Sequence, residues 1–454
     1  MKIIIAGAGR IGALIARSLD REGHDITLID RDAQTIERCS GELDVICVLG
    51  SATNPDTLRE SGAEDADVLL ALTESDEMNM LCALAAKRLG TRTIIARIRD
   101  PEYLSQRQFL SEAVGLSVIV NPEYECAKEI SRILRFPGAV RVETFSKGSA
   151  EIIEYRVPEG SPLCGLSLRE VFGRFGAKVL VAVAERAGEA LIPRGDFVLQ
   201  AGDRLGLTGQ ARELRRFFAA VGQKGRRVRS VMIMGGSRTS VYLARLLDES
   251  GIAVTVFERS RERCDQLCDL IPRARVICGD ATQDEVLLEE GIRDTDAFVA
   301  LTGDDGDNIV TAMYARRCGV DKAVVKVNTR HFSGMLADSG DSMVTPGEIV
   351  SQQITGFVRA LENSADSGSI ETLHRLADDR IEALEFRLGD GAKCLGVPLK
   401  DLHLRKGVLL CAVMRGSETL IPDGSTVLEK GDHAVVIAAA GLIKNINDMT
   451  GPEK

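Results

Sequence analysis

The feature that most limits the folds open to this chain is an internal duplication. KIIIAGAGRIG (Lys2–Gly12) recurs as SVMIMGGSRTS (Ser230–Ser240), and Asp30, closing the strand-like DITLID, is answered 228 positions later by Glu258, closing VTVFE. VLGSAT (Val48–Thr53) recurs in VICGDAT (Val276–Thr282), and ALTESDEMN (Ala71–Asn79) in ALTGDDGDN (Ala300–Asn308), now at an offset of 229. LIPRGDFVLQAGDRLGL (Leu191–Leu207) recurs as LIPDGSTVLEKGDHAVV (Leu420–Val436). Each half must therefore build the same two-part architecture.

Within each half the first part alternates short continuous apolar runs with helical periodicity. In the first copy, VICVL, VLLAL, TIIARI and SVIV follow DITLID, with helices opened by Asn54-Pro55, Asp76, Asp100-Pro101 and Asn121-Pro122. Apolar strands joined by helices predict a parallel sheet buried on both faces. The second part carries short strands punctuated by Pro193-Arg194-Gly195-Asp196 and Ala201-Gly202-Asp203, the grammar of hairpins. The fold class is α/β: two Rossmann-like, doubly wound parallel sheets, each followed by a small α+β module. The segments are 1–122, 140–222, 230–347 and 370–454, with a glycine-rich basic linker at Gly222–Ser230.

The opening stretch has a specific chemistry. Gly7-Ala8-Gly9-Arg10-Ile11-Gly12 is a GxGxxG loop between a strand and an apolar-periodic helix. Gly7 permits the turn, Gly9 lets backbone approach a pyrophosphate, and Gly12 lets the helix pack on the strand. The unpaired N–H groups of the helix N-terminus then face the anion. Asp30 lies 18 residues past Gly12, close to the spacing at which a carboxylate meets the adenosine ribose hydroxyls and repels a 2′-phosphate, favouring NAD over NADP. Loop and acid touch only the ADP-ribose half, so NAD, NADH, ATP and ADP all remain open as ligands.

In the second copy Gly7 maps to Gly235, but Gly9 becomes Ser237 and Gly12 becomes Ser240. A Cβ at Ser237 crowds the pyrophosphate approach, although its hydroxyl can bond a phosphate oxygen. Glu258 keeps the ribose-binding chemistry. This second site is expected to be weaker, to accept a different adenine nucleotide, or to be purely structural.

Composition excludes several classes. The longest uncharged apolar run, Ala434–Ile443, falls far short of the ~18 residues of a membrane span. A net charge of −10 argues against nucleic acid and against direct adhesion to an anionic membrane. The 11 cysteines contain no CxxC pair and the 5 histidines no HxxxH, so neither a disulfide framework nor a zinc site is expected. Cys264 and Cys268 share a helix face but lack partner ligands.

The GAGRIG loop, Asp30, the GSAT and ALTESDEMN segments, the IPxG and GD turns and the tandem duplication together resemble the RCK (KTN) family, in the tandem form that regulates Trk-type potassium uptake. The resemblance covers essentially the whole chain. It implies an NAD(H)- and ATP/ADP-responsive regulatory subunit rather than an enzyme. Such a subunit is cytoplasmic, peripheral at the inner face of the cell membrane, and forms a homotetrameric ring beneath a membrane-embedded potassium-conducting subunit. It also implies Gly7, Ala8, Gly9, Arg10, Ile11 and Gly12 at the pyrophosphate, Asp30 at the ribose, Ser51, Ala52 and Thr53 beside the adenine, and Leu72, Thr73 and Glu74 facing the crevice. Arg97 and Arg99 either meet phosphates or form ion pairs in the crevice. In the second copy the positions are Ser237, Glu258, Asp280, Thr302 and Lys326.

The rival reading is an NAD-dependent dehydrogenase, which needs a substrate domain with an acid or base near the nicotinamide. The modules after each nucleotide fold are instead copies of each other, and His331, His374, His403 and His433 have no counterparts in the first half.

Overall fold

The computed structural model describes residues 1–136, 139–222, 228–328, 341–362, 368–416 and 418–451. His331 and most of the basic linker lie outside them.

The first sheet contains β1 (Lys2–Ala6), β2 (Asp25–Asp30), β3 (Ile46–Leu49), β4 (Val68–Ala71), β5 (Thr93–Arg97) and β6 (Val118–Val120), all parallel, in the order β3-β2-β1-β4-β5-β6. Ile3–Ala6 and Val68–Ala71 are buried, as a two-sided parallel sheet requires. Strand order reverses between β1 and β4, so a crevice opens at their carboxyl ends, where the glycine loop and the ALTE segment lie.

A five-stranded antiparallel sheet follows, built from β7 (Ala139–Phe145), β8 (Ala150–Arg156), β9 (Val179–Arg186), β10 (Glu189–Leu191) and β11 (Arg204–Gly209) in the order β10-β9-β11-β8-β7. Its helix Leu168–Phe175 starts with a capping box between Ser167 and Glu170.

The second parallel sheet repeats the first: β12 (Ser230–Met234), β13 (Ala253–Glu258), β14 (Arg275–Cys278), β15 (Ala297–Ala300), β16 (Lys322–Lys326) and β17 (Ser342–Val344), in the order β14-β13-β12-β15-β16-β17. Even the register is kept, with Lys2 opposite Asp25 in one copy and Ser230 opposite Ala253 in the other. The last sheet, β18 (Gly368–Leu376), β19 (Ile381–Leu388), β20 (Val408–Arg415), β21 (Glu418–Leu420) and β22 (His433–Ala439), has the same antiparallel order, β21-β20-β22-β19-β18. The expected fold class is thus the observed one. The two small modules differ in their connections: where the first has the helix Leu168–Phe175, the second has the 3₁₀ turn Leu399–Asp401.

The recurring GD turns have a structural cause. Asp203, almost fully buried, accepts from Arg186 Nε and Nη2 at 2.7 Å and from the Gln200 amide at 2.8 Å; Asp432 does the same with Arg415 and the Glu429 amide. Each is a two-pronged guanidinium–carboxylate pair tying a strand to its own turn.

The chain forms two compact units. The first contains residues 1–126 together with 345–355; the second contains 127–344 and 356–454. In the first unit, the opening of the helix Pro346–Glu362 packs on the helix Arg10–Asp20. A Cβ on Gly347 would lie 3.3 Å from Leu14 Cδ2, and the hydroxyls of Ser18 and Thr355 are 3.1 Å apart. In the second unit the two antiparallel sheets share a core, with Phe145, Ile152 and Val183 from one and Ile381, Met414 and Ile437 from the other.

Candidate functional site

The first crevice is shaped by three glycines with different jobs. Gly7 has φ +103°, and a Cβ there would lie 2.9 Å from the Leu72 carbonyl. A Cβ on Gly12 would come within 1.9 Å of the Gly7 oxygen, so the close packing of helix on strand tolerates no side chain. A Cβ on Gly9 would meet no protein atom within 4 Å. The space over Gly9 is therefore open, and the residues fit a pyrophosphate there. Gly9 is also the N-cap of the helix Arg10–Asp20 and supplies no side-chain cap, leaving the first-turn amides available to an anion.

Asp30 holds this loop from the end of β2. Its Oδ2 accepts from the Ala8 amide at 2.7 Å and its Oδ1 from the Asp32 amide at 3.0 Å. Each carboxylate oxygen keeps a lone pair for a ribose hydroxyl. Asp32, not Asp30, caps the following helix, accepting from the Thr35 amide. Ser51, Ala52 and Thr53 follow β3 at the same sheet edge, the two hydroxyls 2.9 Å apart and Ala52 buried.

Across the crevice, Leu72, Thr73 and Glu74 leave β4 and are fixed by a residue of the ALTESDEMN segment whose side chain turns into the core. Asn79, fully buried, accepts from the Thr73 amide at 2.8 Å and hydroxyl at 2.7 Å, and donates to the Thr73 and Arg97 carbonyls. Arg97 and Arg99 are committed to this same loop. Arg97 Nη2 donates to the Thr73 carbonyl, and Arg99 Nη2 to that of Glu74. Asp76 accepts from the amides of Arg99 at 2.8 Å and Asp100 at 2.9 Å and pairs with the Arg99 guanidinium. Burial pushes the Arg97 pKa down, and the Arg99 charge adds to the effect.

The second crevice is a cavity of about 480 Å³, within the range of small-ligand sites. Ser237, Glu258, Asp280, Thr302 and Lys326, the five positions the sequence picks out in this copy, all line it. Glu258 reproduces the Asp30 geometry, accepting from the Gly236 and Ser260 amides at 2.8 Å. Asn308 reproduces Asn79, accepting from the Thr302 amide and hydroxyl and donating to the Lys326 carbonyl at 3.0 Å. Asp305 reproduces Asp76 by accepting from the Asn328 amide. The equal offset of 229 from Asn79 to Asn308 and from Asp76 to Asp305 was the signal that could have marked both as organising residues.

The copies diverge at the loop and at the mouth. The Ser237 hydroxyl caps its own helix, accepting from the Ser240 amide at 3.2 Å, and the Ser240 hydroxyl donates to the Gly235 carbonyl at 2.5 Å. A contact that in the first copy excludes any side chain is here a hydrogen bond. Arg259 spans the mouth, 3.0 Å from Asp280 and 3.3 Å from Asp307. Burial opposes the Asp280 charge, but Thr282 and Arg259 outweigh it and hold its pKa below the usual carboxylate value. The equivalent first-copy residues, Arg31, Ser51 and Met78, offer no such bridge.

The TrkA-N domain family matches residues 3–122 and 231–346, the two parallel-sheet regions, and the TrkA-C domain family matches 152–222 and 383–449. The Trk system potassium uptake protein TrkA homolog of Archaeoglobus fulgidus is 34% identical over 450 residues, spanning 99% of this chain and 100% of that protein. The chain belongs to the TrkA family. TrkA of Halomonas elongata is likewise 34% identical, over 96% of this chain and 95% of its own. Among solved structures, the GsuK RCK domain shares the fold at TM-score 0.63 and 19% identity, covering 96% of this chain and 92% of that one. The GsuK channel bound to NAD aligns at TM-score 0.62 with the same identity and covers 96% and 76%. Among the described residues no helix of this TrkA-family chain is long and apolar enough to cross a membrane.

Proposed function

We propose that this chain is a nucleotide-sensing regulatory subunit that binds NAD(H), ATP or ADP and gates a membrane-embedded Trk-type potassium-conducting subunit. The observation that carries the reading is the open space over Gly9 at an uncapped helix N-terminus, beside a carboxylate already oriented by the loop it serves. Gly7 to Gly12 would hold the pyrophosphate, Asp30 the ribose, and Ser51 to Thr53 with Leu72 to Glu74 the walls. Arg97 and Arg99 set the shape of the opposite wall. The bound nucleotide acts here as charge and shape, and no bond in it is broken. The relatives carry the name of Trk system potassium uptake proteins, and the aligned GsuK channels include NAD-bound and ADP-bound forms. These names support a potassium-uptake role, and to it the proposal adds a homotetrameric ring and a peripheral position on the cytoplasmic face of the membrane. We keep 1–122, 140–222, 230–347 and 370–454 as its four folding segments.

The helix that meets the phosphates also touches the segment 345–355, through Leu14 near Gly347 and Ser18 beside Thr355. A ligand that tightens the loop biases that contact, and a difference of ~3 kcal/mol between two arrangements shifts their ratio about 150-fold. The dehydrogenase alternative needs an acid or base at the crevice. No histidine lines the second crevice among the described residues, and His374 and His433 are bound to Glu143 and Glu385 in the small sheets. Calorimetric titration of NADH and ATP into the wild type, Asp30→Ala and Glu258→Ala assigns ligand to copy. Turnover of NADH by the pure protein would overturn the regulatory reading.

A further inference from the structure

Cys264 and Cys268 lie one turn apart on the helix Arg261–Leu270, yet they meet different surroundings. Cys264 is buried and Cys268 exposed. The thiol that Cys264 does meet, in hydrogen-bonding contact, is that of Cys278 at the end of β14. The backbone explains the meeting. Cys278 is the register partner of Glu258 on the neighbouring strand, and Cys264 Sγ donates to the Glu258 carbonyl at 3.4 Å. Both cysteines are thus anchored on one residue, one from the helix and one from the adjacent strand.

The two thiols differ in what they can do. Burial first, and then the Cys278 contact, push Cys264 up to about 11, so it stays protonated and slow toward oxidants in solution. Cys278 is exposed, and an exposed thiol has no apolar packing to perform. An accessible thiol beside a second, resolving thiol is the arrangement of redox-sensing cysteines. In the first copy the same two positions hold Ile36 and Leu49, which can form no such bond.

We propose that Cys264 and Cys278 are a modification site, oxidised by a hydroperoxide to an intrachain disulfide that alters the second crevice. The Cys278 thiolate attacks a peroxide oxygen and the O–O bond breaks. Cys278 becomes a sulfenic acid, and the other peroxide oxygen takes up the thiol proton and leaves as water, or as an alcohol from an organic hydroperoxide. The Cys264 sulfur then attacks the Cys278 sulfur. The S–S bond forms as the S–O bond breaks, and the departing hydroxide carries off the Cys264 proton as water. The thiol pair loses one electron pair and the peroxide gains it.

Closing the bond reaches the crevice through Glu258. An S–S bond of about 2.05 Å draws the helix and the end of β14 together and removes the S–H that the Glu258 carbonyl accepted. That carbonyl also accepts from the Gly279 amide at 2.9 Å, and Gly279 leads directly into Asp280 on the crevice wall. The Glu258 carboxylate holds the loop at Gly236. Oxidation therefore acts on two sides of the cavity at once. Its effect on nucleotide affinity rests on the function proposed above, whereas formation of the bond does not.

The test treats the folded full chain with hydrogen peroxide, alkylates the remaining thiols and maps tryptic fragments by mass spectrometry. The expected product joins fragment 264–273 to fragment 276–293, lighter by two hydrogens than the free thiol fragments together and separated by dithiothreitol. Cys268→Ser should still form it, because Cys268 shares the first fragment without being the partner. In Cys264→Ser the reaction should stop at a Cys278 sulfenic acid, trapped by dimedone. A wild type without the joined fragment overturns the proposal with no variant needed, and so does its loss in Cys268→Ser or its persistence in Cys264→Ser. A second arm titrates NADH and ATP into reduced and oxidised Asp30→Ala chain, so that only the second crevice reports. Oxidation is expected to change the affinity by about fivefold or more, reversibly, and to change nothing once Cys278→Ser is added. Equal affinities in the linked and reduced chains overturn the action on the crevice. Absence of binding in both strikes the nucleotide reading instead and leaves the disulfide standing.

Discussion

The Asp30 carboxylate accepts a 2.7 Å hydrogen bond from the Ala8 amide, inside the loop it lies beside, and Glu258 holds Gly236 in the same way at 2.8 Å. The acid shapes the glycine loop, and under the proposed function it has a second task, offering its remaining lone pairs to the ribose.

Removing it should damage both. Asp30→Ala is expected to weaken NADH binding at the first crevice by at least tenfold, or about 1.4 kcal/mol. Asp30→Asn, which can still accept from the Ala8 amide through its carbonyl, is expected to keep the loop and to lower the preference for NADH over NADPH. Calorimetry with both dinucleotides distinguishes the two tasks.

The three glycines should separate stability from binding. Gly12→Ala drives a methyl into the Gly7 carbonyl and is expected to cost about 1–3 kcal/mol of stability, read as a lower melting temperature. Gly9→Ser meets no protein atom and supplies a helix cap, so its melting temperature should hold or rise while NADH affinity falls. Equal affinity in Gly9→Ser would show that the space over residue 9 is not the phosphate position.

The reciprocal change belongs in the second copy. Ser237→Gly removes a cap at a cost of a few tenths of a kcal/mol and clears the Cβ from the loop. The second crevice is expected to gain NADH affinity, measured in an Asp30→Ala background so that only one crevice reports.

A buried cluster in the second unit predicts a pH dependence. His374 Nδ1 lies 2.6 Å from Glu143 and its Nε2 is 3.0 Å from the Thr144 carbonyl, so both ring nitrogens face acceptors and the imidazolium is the form that fits. Burial opposes that charge, but Glu143 and Thr144 outweigh it and raise the His374 pKa above 6.5. Glu129 is pushed up from 4.5 to about 7 by burial and then by the Glu143 charge, with Arg141 and Arg132 opposing. Both folded pKa values are raised, so the folded state holds protons that the unfolded chain has released. The His374 contribution is full below pH 6.5 and is lost as pH rises through its raised value, while the cost of ionising Glu129 grows between pH 4.5 and about 7. Stability should fall from pH 5 to pH 7, below the range in which buried Lys322, its pKa pushed down to about 7, adds stability as pH rises, and Glu129→Gln should flatten that fall in thermal melts.

Much of this was legible because it is local. Gly7 to Gly12 and Asp30 sit within one βαβ unit, where turn, helix start and strand end are fixed by neighbours in the chain. The duplication then carried the reading to Glu258 and Asp280 at no further cost in assumption. Arg97 and Arg99 were ambiguous because whether a guanidinium meets a ligand or a loop carbonyl depends on where the loop after β4 runs, which Asn79 decides from within the core. The return of residues 345–355 to the first nucleotide fold was illegible, since nothing in Gly347 or Thr355 advertises a partner hundreds of residues away. Arg259 was missed for the same reason: its acids, Asp280 in the loop after β14 and Asp307 in the helix Asp305–Arg317, come from two other parts of the fold.

The difference in how the two glycine loops begin their helices bears on what an idle subunit looks like in a cell. The loop finished by Ser237 is content with its own hydroxyl and can rest with nothing in it. The loop that begins at Gly9 has first-turn amides that no side-chain cap satisfies, which leaves them to water or to an outside anion. Under the proposed function, a loop of this kind among abundant phosphate esters would exchange one guest for another, and its signal would report a ratio of metabolites rather than the amount of any one.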